Sequence, residues 1–134
     1  MATIYVARSA RLSDWASDVG LSKHVYKVGI TDEDPAQLLA RGLAGETDWT
    51  VVKKQDAGEL SEEGAIERLA RKTKMVDPNY YPRIKGTPGI FKVAPDTVVN
   101  HIVLARALAG ESERADIKLK VADFASYLIT NALR

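Results

Sequence analysis

Val25-Tyr26-Lys27-Val28-Gly29-Ile30, closed by the polar pair Thr31-Asp32, is the stretch on which the fold turns. Its β-branched and aromatic residues read as a strand. Upstream, Thr3-Ile4-Tyr5-Val6-Ala7 is a second β-rich run that stops at Arg8. Between the two, Ser13 to Gly20 carries an N-cap serine, an acidic first turn and a closing glycine, the marks of a short helix. Downstream, Asp34-Pro35 supplies an N-cap and a first helical residue for a helix over Ala36–Ala44, with Leu38, Leu39 and Leu43 toward a core.

Trp49 to Lys54 reads as a third strand. Ser61 then caps a helix in which Ile66, Leu69, Ala70 and Thr73 fall at helical spacing and are expected to be buried. Glu63, Glu67, Arg71 and Lys74 fall on the opposite or flanking side, and Asp77-Pro78 ends the helix. A proline- and glycine-punctuated loop from Pro78 to Pro88 leads into a short strand, Gly89–Val93. Two further helices are expected, one capped by Asp96 and reaching Ala109 before Gly110, the other from Glu113 to Leu133. The order β, β, α, β, α, β, α, α predicts an α+β fold, a small mainly antiparallel sheet flanked by helices.

Composition bounds the chemistry. A chain of 134 residues, 46% hydrophobic and 28% charged, matches one globular domain. With no cysteine and only His24 and His101, disulfides, thiolate zinc sites and histidine-rich metal sites are excluded, so any metal is held mainly by carboxylates. No signal-like N-terminus and no long apolar run are evident, and the expected location is the cytoplasm, without membrane contact. The net charge of +1 conceals an asymmetry: residues 61–94 hold seven Lys/Arg against four Asp/Glu. There Arg68, Arg71, Lys72, Lys74, Arg83 and Lys85 are interleaved with Tyr80 and Tyr81, a mixture of phosphate-pairing cations and stackable rings, or else a solvated helix face and loop.

Thr3-Ile4-Tyr5 stands where a first strand carries G-I-Y, and Lys27-Val28-Gly29-Ile30-Thr31 where a second carries Y-I-G, in the K-I-G-I-T form. Residues 1–93 thus resemble a GIY-YIG nuclease domain, of the branch often found in phages and bacteria. Residues 94–134 lie beyond the resemblance as a C-terminal helical extension. The order continues with Asp34-Pro35, Arg41, Glu67 and Gly89-Ile90-Phe91 where that branch has an Asp-Pro step, an arginine, a glutamate and E-W-F.

The resemblance implies an endonuclease performing metal-assisted phosphodiester hydrolysis on nucleic acid, DNA ahead of RNA. It assigns Tyr5 to position the attacking water, Lys27 to the place of the second tyrosine, Arg41 to the phosphate, and Glu67 to hold Mg²⁺ (or Mn²⁺). Arg71, Lys72, Lys74, Arg83 and Lys85 would bind the nucleic-acid backbone, with Gly29 and Thr31 as structural motif residues. On this reading Tyr5 and Lys27 lie on neighbouring antiparallel strands and the Glu67 carboxylate faces them.

Each residue also has a plainer reading. Tyr5 is then a strand aromatic, Glu67 the partner of Arg71 in a helical ion pair, Arg41 a cation at a helix C-terminus, and Gly29 a bulge. Thr3 and Lys27 depart from the motif, and no histidine follows Glu67 on its helix. These departures fit a catalytically degenerate binding module. A third reading is an interaction protein. The stripe Leu119, Phe124, Leu128 and Leu133 then either covers the sheet or forms a homo-oligomer interface.

Overall fold

A computed structural model describes residues 2–21, 23–108, 110 and 119–133. The elements are β1 (Ala2–Ser9), α1 (Ala10–Asp18), β2 (Val25–Thr31), α2 (Pro35–Ala40), β3 (Trp49–Gly58), α3 (Glu62–Lys72) and β4 (Lys74–Met75). A 3₁₀ turn (Pro82–Ile84), β5 (Ile90–Lys92), α4 (Pro95–Leu108) and α5 (Val121–Leu133) complete the order. The chain is α+β, with one five-stranded antiparallel sheet in the order β3-β1-β2-β5-β4.

Strand β1 lies between β3 and the central strand β2, and Ile4, Tyr5, Val6 and Ala7 are all at most 1% exposed. Because side chains alternate along a strand, Ile4 and Val6 enter one core and Tyr5 and Ala7 the other. The first core joins Tyr26, Val28, Phe91, Ala65 and Leu69 to Phe124 and Leu128 of α5, which lies across β1, β2 and β3. The second lies under α1, α2 and the 3₁₀ turn, with Leu12, Ala16, Leu39, Ile84 and Ile90 as its body. Both faces of the sheet are therefore covered.

Several expected boundaries shift for physical reasons. Helix α1 begins at Ala10 because Ser9, not Ser13, is its N-cap: the Ser9 hydroxyl accepts from Leu12 N and donates to Asp48. Ser13 is buried on the inner face of the helix. Helix α2 ends at Ala40, short of Ala44, and the chain leaves through Gly42 and Ala44, both at positive φ. Leu39 is buried there while Leu38 and Leu43 are only half-buried. Strand β3 continues past Lys54 to Gly58. Asp96 lies in the first turn of α4 rather than capping it.

Helix α3 buries Ala65 and Leu69, one turn apart, with Ile66 half-buried and Ala70 exposed. Its inner stripe is thus rotated from the expected one. In the C-terminal region Glu113 to Lys118 lies outside the described residues, and α5 starts at Val121, with Asp123 accepting from Lys120 N. Phe124 and Leu128 are buried, and Leu119 and Leu133 pack against the same cluster. Among the described residues the apolar stripe packs into the chain's own core. No helix among the described residues is long and apolar enough to cross a membrane.

The rotation of α3 is testable by paired substitutions. Leu69→Ala should cost about 2–5 kcal/mol of unfolding free energy. Ala70→Lys should stay within about 0.5 kcal/mol of the parent, because that position faces water. Equal destabilisation by both in chemical denaturation would place the buried face where the spacing alone put it.

Candidate functional site

Strands β1 and β2 pair in continuous register from Thr3↔Thr31 to Ala7↔Lys27, with Tyr5 opposite Gly29. Directly paired residues share a face, so Tyr5, Gly29 and Lys27 all stand on the side covered by α1, α2 and the 3₁₀ turn. A Cβ on Gly29 would lie 2.6 Å from Tyr5 Cζ and 2.9 Å from Glu62 Oε1, and nearer still to the Tyr5 hydroxyl. The absent side chain is what lets the tyrosine ring lie across β2. Gly29 is therefore a close-approach glycine in an unbroken ladder and not a bulge.

Glu62 reaches the same spot from α3. Ser61 caps that helix through Gly64 N, which fixes Glu62 as its first residue. Val28 N donates to Gly89 O, the last contact before the β5 side of β2 runs out. The next amide on that edge, Ile30 N, donates instead to Glu62 Oε1 at 3.3 Å. Gly89, at φ +81°, packs so tightly that a Cβ would lie 2.7 Å from Val28 O and 2.9 Å from Lys27 Nζ. Thr31 closes the strand, its hydroxyl accepting from Glu33 N.

Lys27 is only 3% exposed, and its ammonium donates to Pro88 O at 2.7 Å and lies 3.8 Å from Glu62 Oε1. Burial lowers its pKa, and the nearby Glu62 charge partly restores it. The Tyr5 hydroxyl is pushed up to about 12, first by burial and then by the negative charge of Glu62. At neutral pH Tyr5 is thus a hydrogen-bond donor and not a proton acceptor. The Glu62 side chain is 43% exposed, the one member of the trio open to solvent.

The site that forms is not the full expected set. Tyr5, Lys27 and Gly29 are together, but Glu67 is absent. Five residues along a helix rotate a side chain by about 140° from Glu62. Glu67 accordingly points to water, 68% exposed, and accepts from Arg71 at 2.7 Å. Arg41 is the C-cap of α2 and pairs with Glu33, its guanidinium 64% exposed. Glu62 takes the place expected for Glu67. The signal was present, because Glu62, Ala65, Ile66 and Leu69 share the i, i+3, i+4, i+7 spacing.

The basic residues of 61–94 also separate. Arg68 donates to Ala132 O and Lys72 to Asn131 O, closing the C-terminal carbonyls of α5. Arg71 is held by Glu67, and Arg83 by Glu46 and Ala44 O. Lys85 follows the 3₁₀ turn in a left-handed conformation, its chain beside Gly45. Lys74 is exposed on β4. They do not make one continuous phosphate-binding face.

Among the described residues no three Asp, Glu or His side chains converge as a metal cage. Comparison with protein-family models, with curated proteins and with solved structures finds no match.

Spectrophotometric titration of the five tyrosines checks the burial of the site. Tyr5 and Tyr26 should ionise near pH 12, both through burial, and Tyr5→Phe should remove one late-titrating group. Since both native values lie above the ordinary 10.0, their contribution to stability is complete below pH 10.0 and is lost as pH climbs toward 12. Gly29→Ala should cost about 1–3 kcal/mol, as an overpacked core does. Tolerance of that alanine would mean the ring does not lie against β2.

Proposed function

We propose that this chain is a GIY-YIG-like nuclease performing metal-assisted phosphodiester hydrolysis, with Tyr5, Lys27 and Glu62 as its working residues. One observation supports the reading above the rest: a phenol and a half-exposed carboxylate meet over Gly29, with the Lys27 ammonium 3.8 Å from that carboxylate. Hydrolysis of a phosphodiester needs an oriented water, positive charge at the phosphate and stabilisation of the leaving oxygen. Tyr5, protonated at neutral pH, orients by donating. Lys27 supplies fixed positive charge from a site where burial has removed competing water.

The donor set suits Mg²⁺. This hard cation keeps several waters and binds through one or two carboxylates together with substrate phosphate, and Glu62 offers such a carboxylate at the protein surface. When bound it would supply Lewis-acid charge and lower the pKa of its water. Glu62 would hold it, steadied by the Ile30 amide. Glu67 has no part in this scheme, being tied to Arg71 on another side of α3.

A second reading, binding without cleavage, draws on two ion pairs. Lys27 already shares the Glu62 charge, and Arg41 is engaged by Glu33. Both readings are separated by incubating the protein with supercoiled plasmid and single-stranded DNA, with Mg²⁺, Mn²⁺ or chelator. Glu62→Gln should abolish cleavage, with circular dichroism verifying that the variant folds, Tyr5→Phe should lower the rate about 10²-fold, and Glu67→Gln should change nothing. Cleavage that survives Glu62→Gln excludes the mechanism. A parent protein that binds but never cuts establishes the second reading.

A further inference from the structure

We infer that a cleft on the β4 edge of the sheet is a subsite for one nucleotide of a single-stranded nucleic acid. The inference goes beyond the Tyr5–Lys27–Glu62 cluster and holds whether or not that cluster cuts. The cleft, about 350 Å³, is lined by Leu21, Lys74, Met75, Asp77, Tyr80 and Lys92, with Val76 and Tyr81. Volumes of this order suit one small planar ligand.

Lys74 and Lys92 are direct register partners on β4 and β5, so two ammonium-bearing chains leave the sheet side by side on one face. Like charges directly opposite destabilise a strand pair. Among the described residues no carboxylate forms an ion pair with either lysine. Asp77, the one acid in the lining, spends Oδ1 on Asn79 N. Two ammoniums and one carboxylate leave a single positive charge, which matches the single negative charge of a phosphodiester better than the dianion of a free nucleotide's phosphate.

Beside this charge stands a ring built for stacking. Tyr80 is 74% exposed, the most exposed aromatic among the described residues. It is held nonetheless, packed edge-on against Tyr81 at 4.7 Å, and Tyr81 packs edge-on against Trp15 at 5.7 Å. The loop beneath is fixed by Asn79 N to Asp77 Oδ1, Tyr81 N to Asp77 O and Ile84 N to Tyr81 O. A presented ring next to paired cations recognises an unpaired base with its phosphate, and a duplex hides the face such a ring needs.

The test is fluorescence anisotropy of the full chain with a labelled oligothymidine, in chelator to prevent cutting, over a range of salt. Tyr80→Ala should weaken binding about tenfold, and Tyr80→Phe should restore it, since only the ring is required. The double variant Lys74→Gln/Lys92→Gln should reduce the log-log salt slope by about 0.7, one single-strand phosphate contact's worth. Glu67→Gln, an exposed change on another side of α3, should bind like the parent. Tyr80 and Lys74 are exposed and Lys92 is half-buried, and circular dichroism verifies that each variant folds. Unchanged binding by Tyr80→Ala and by the double lysine variant overturns the subsite while leaving a nuclease centred on Glu62 intact. Equal competition by free thymidine monophosphate, or equal loss of duplex binding in Tyr80→Ala, also overturns it. Absence of any binding at low salt removes both this subsite and the nuclease.

Discussion

The contact of the Tyr5 ring with the bare Cα of Gly29 is the constraint on which the site depends. It requires that β1 and β2 keep their register, because a slip of one residue would send Tyr5 and Lys27 to the opposite face. It also sets where the hydroxyl emerges, at the end of β2 where β5 no longer supplies a hydrogen-bond partner. Glu62 occupies that gap through Ile30 N, so the first turn of α3 is docked on the sheet by the same residue that carries the site's negative charge. Fold and site are joined at one carboxylate.

Lys27 gives the arrangement its electrostatic character. An ammonium that is nearly inaccessible to water is costly, and a carbonyl at 2.7 Å with a carboxylate at 3.8 Å offsets only part of that cost. Buried ion pairs with such an outlay are weak evidence for stability, since an apolar pair of similar volume often does as well. The open side of Glu62 matters here. This carboxylate stays 43% exposed, which spares it the desolvation cost of full enclosure and leaves it within reach of a ligand from solvent. The same negative charge helps hold both Tyr5 and Lys27 protonated.

Much of this was legible in the residues. The β-rich runs around Tyr5 and Lys27, the Asp34-Pro35 and Ser61 helix starts, and the short strand at Ile90 all carry strong local signals, and each appears in the fold. Glu67 lies apart from Tyr5 and Lys27, since order along the chain does not tell which side of a helix a carboxylate occupies. Its i, i+4 partner Arg71 was the better local clue. Ser13 looked like a cap because it precedes an acidic residue, but Ser9 competes better, with Asp48 fixing its hydroxyl from the far end of the long loop before β3. The partners of Arg68, Arg71, Lys72 and Arg83 are carbonyls and carboxylates brought up by tertiary packing, mostly from far along the chain, and a charge count is blind to them.

The two faces of the sheet divide the work. The face under α3, α4 and α5 is built from regular helices and apolar side chains, with Tyr26, Phe91, Phe124 and Leu128 at its centre. The face under α1, the six-residue α2 and the 3₁₀ turn collects the local rule-breaking. There lie the buried Lys27, the orphaned Ser13 hydroxyl, the left-handed Ala44 and Lys85, and the opposed Lys74 and Lys92. Each lowers stability on its own, and such departures gather where a protein binds or reacts. The regular face can carry them because both cores share the strands β1 and β2: whatever holds Ile4, Val6 and Val28 in place also fixes Tyr5, Lys27 and Gly29 on the reverse side. Rigidity is made on one side of the backbone and used on the other.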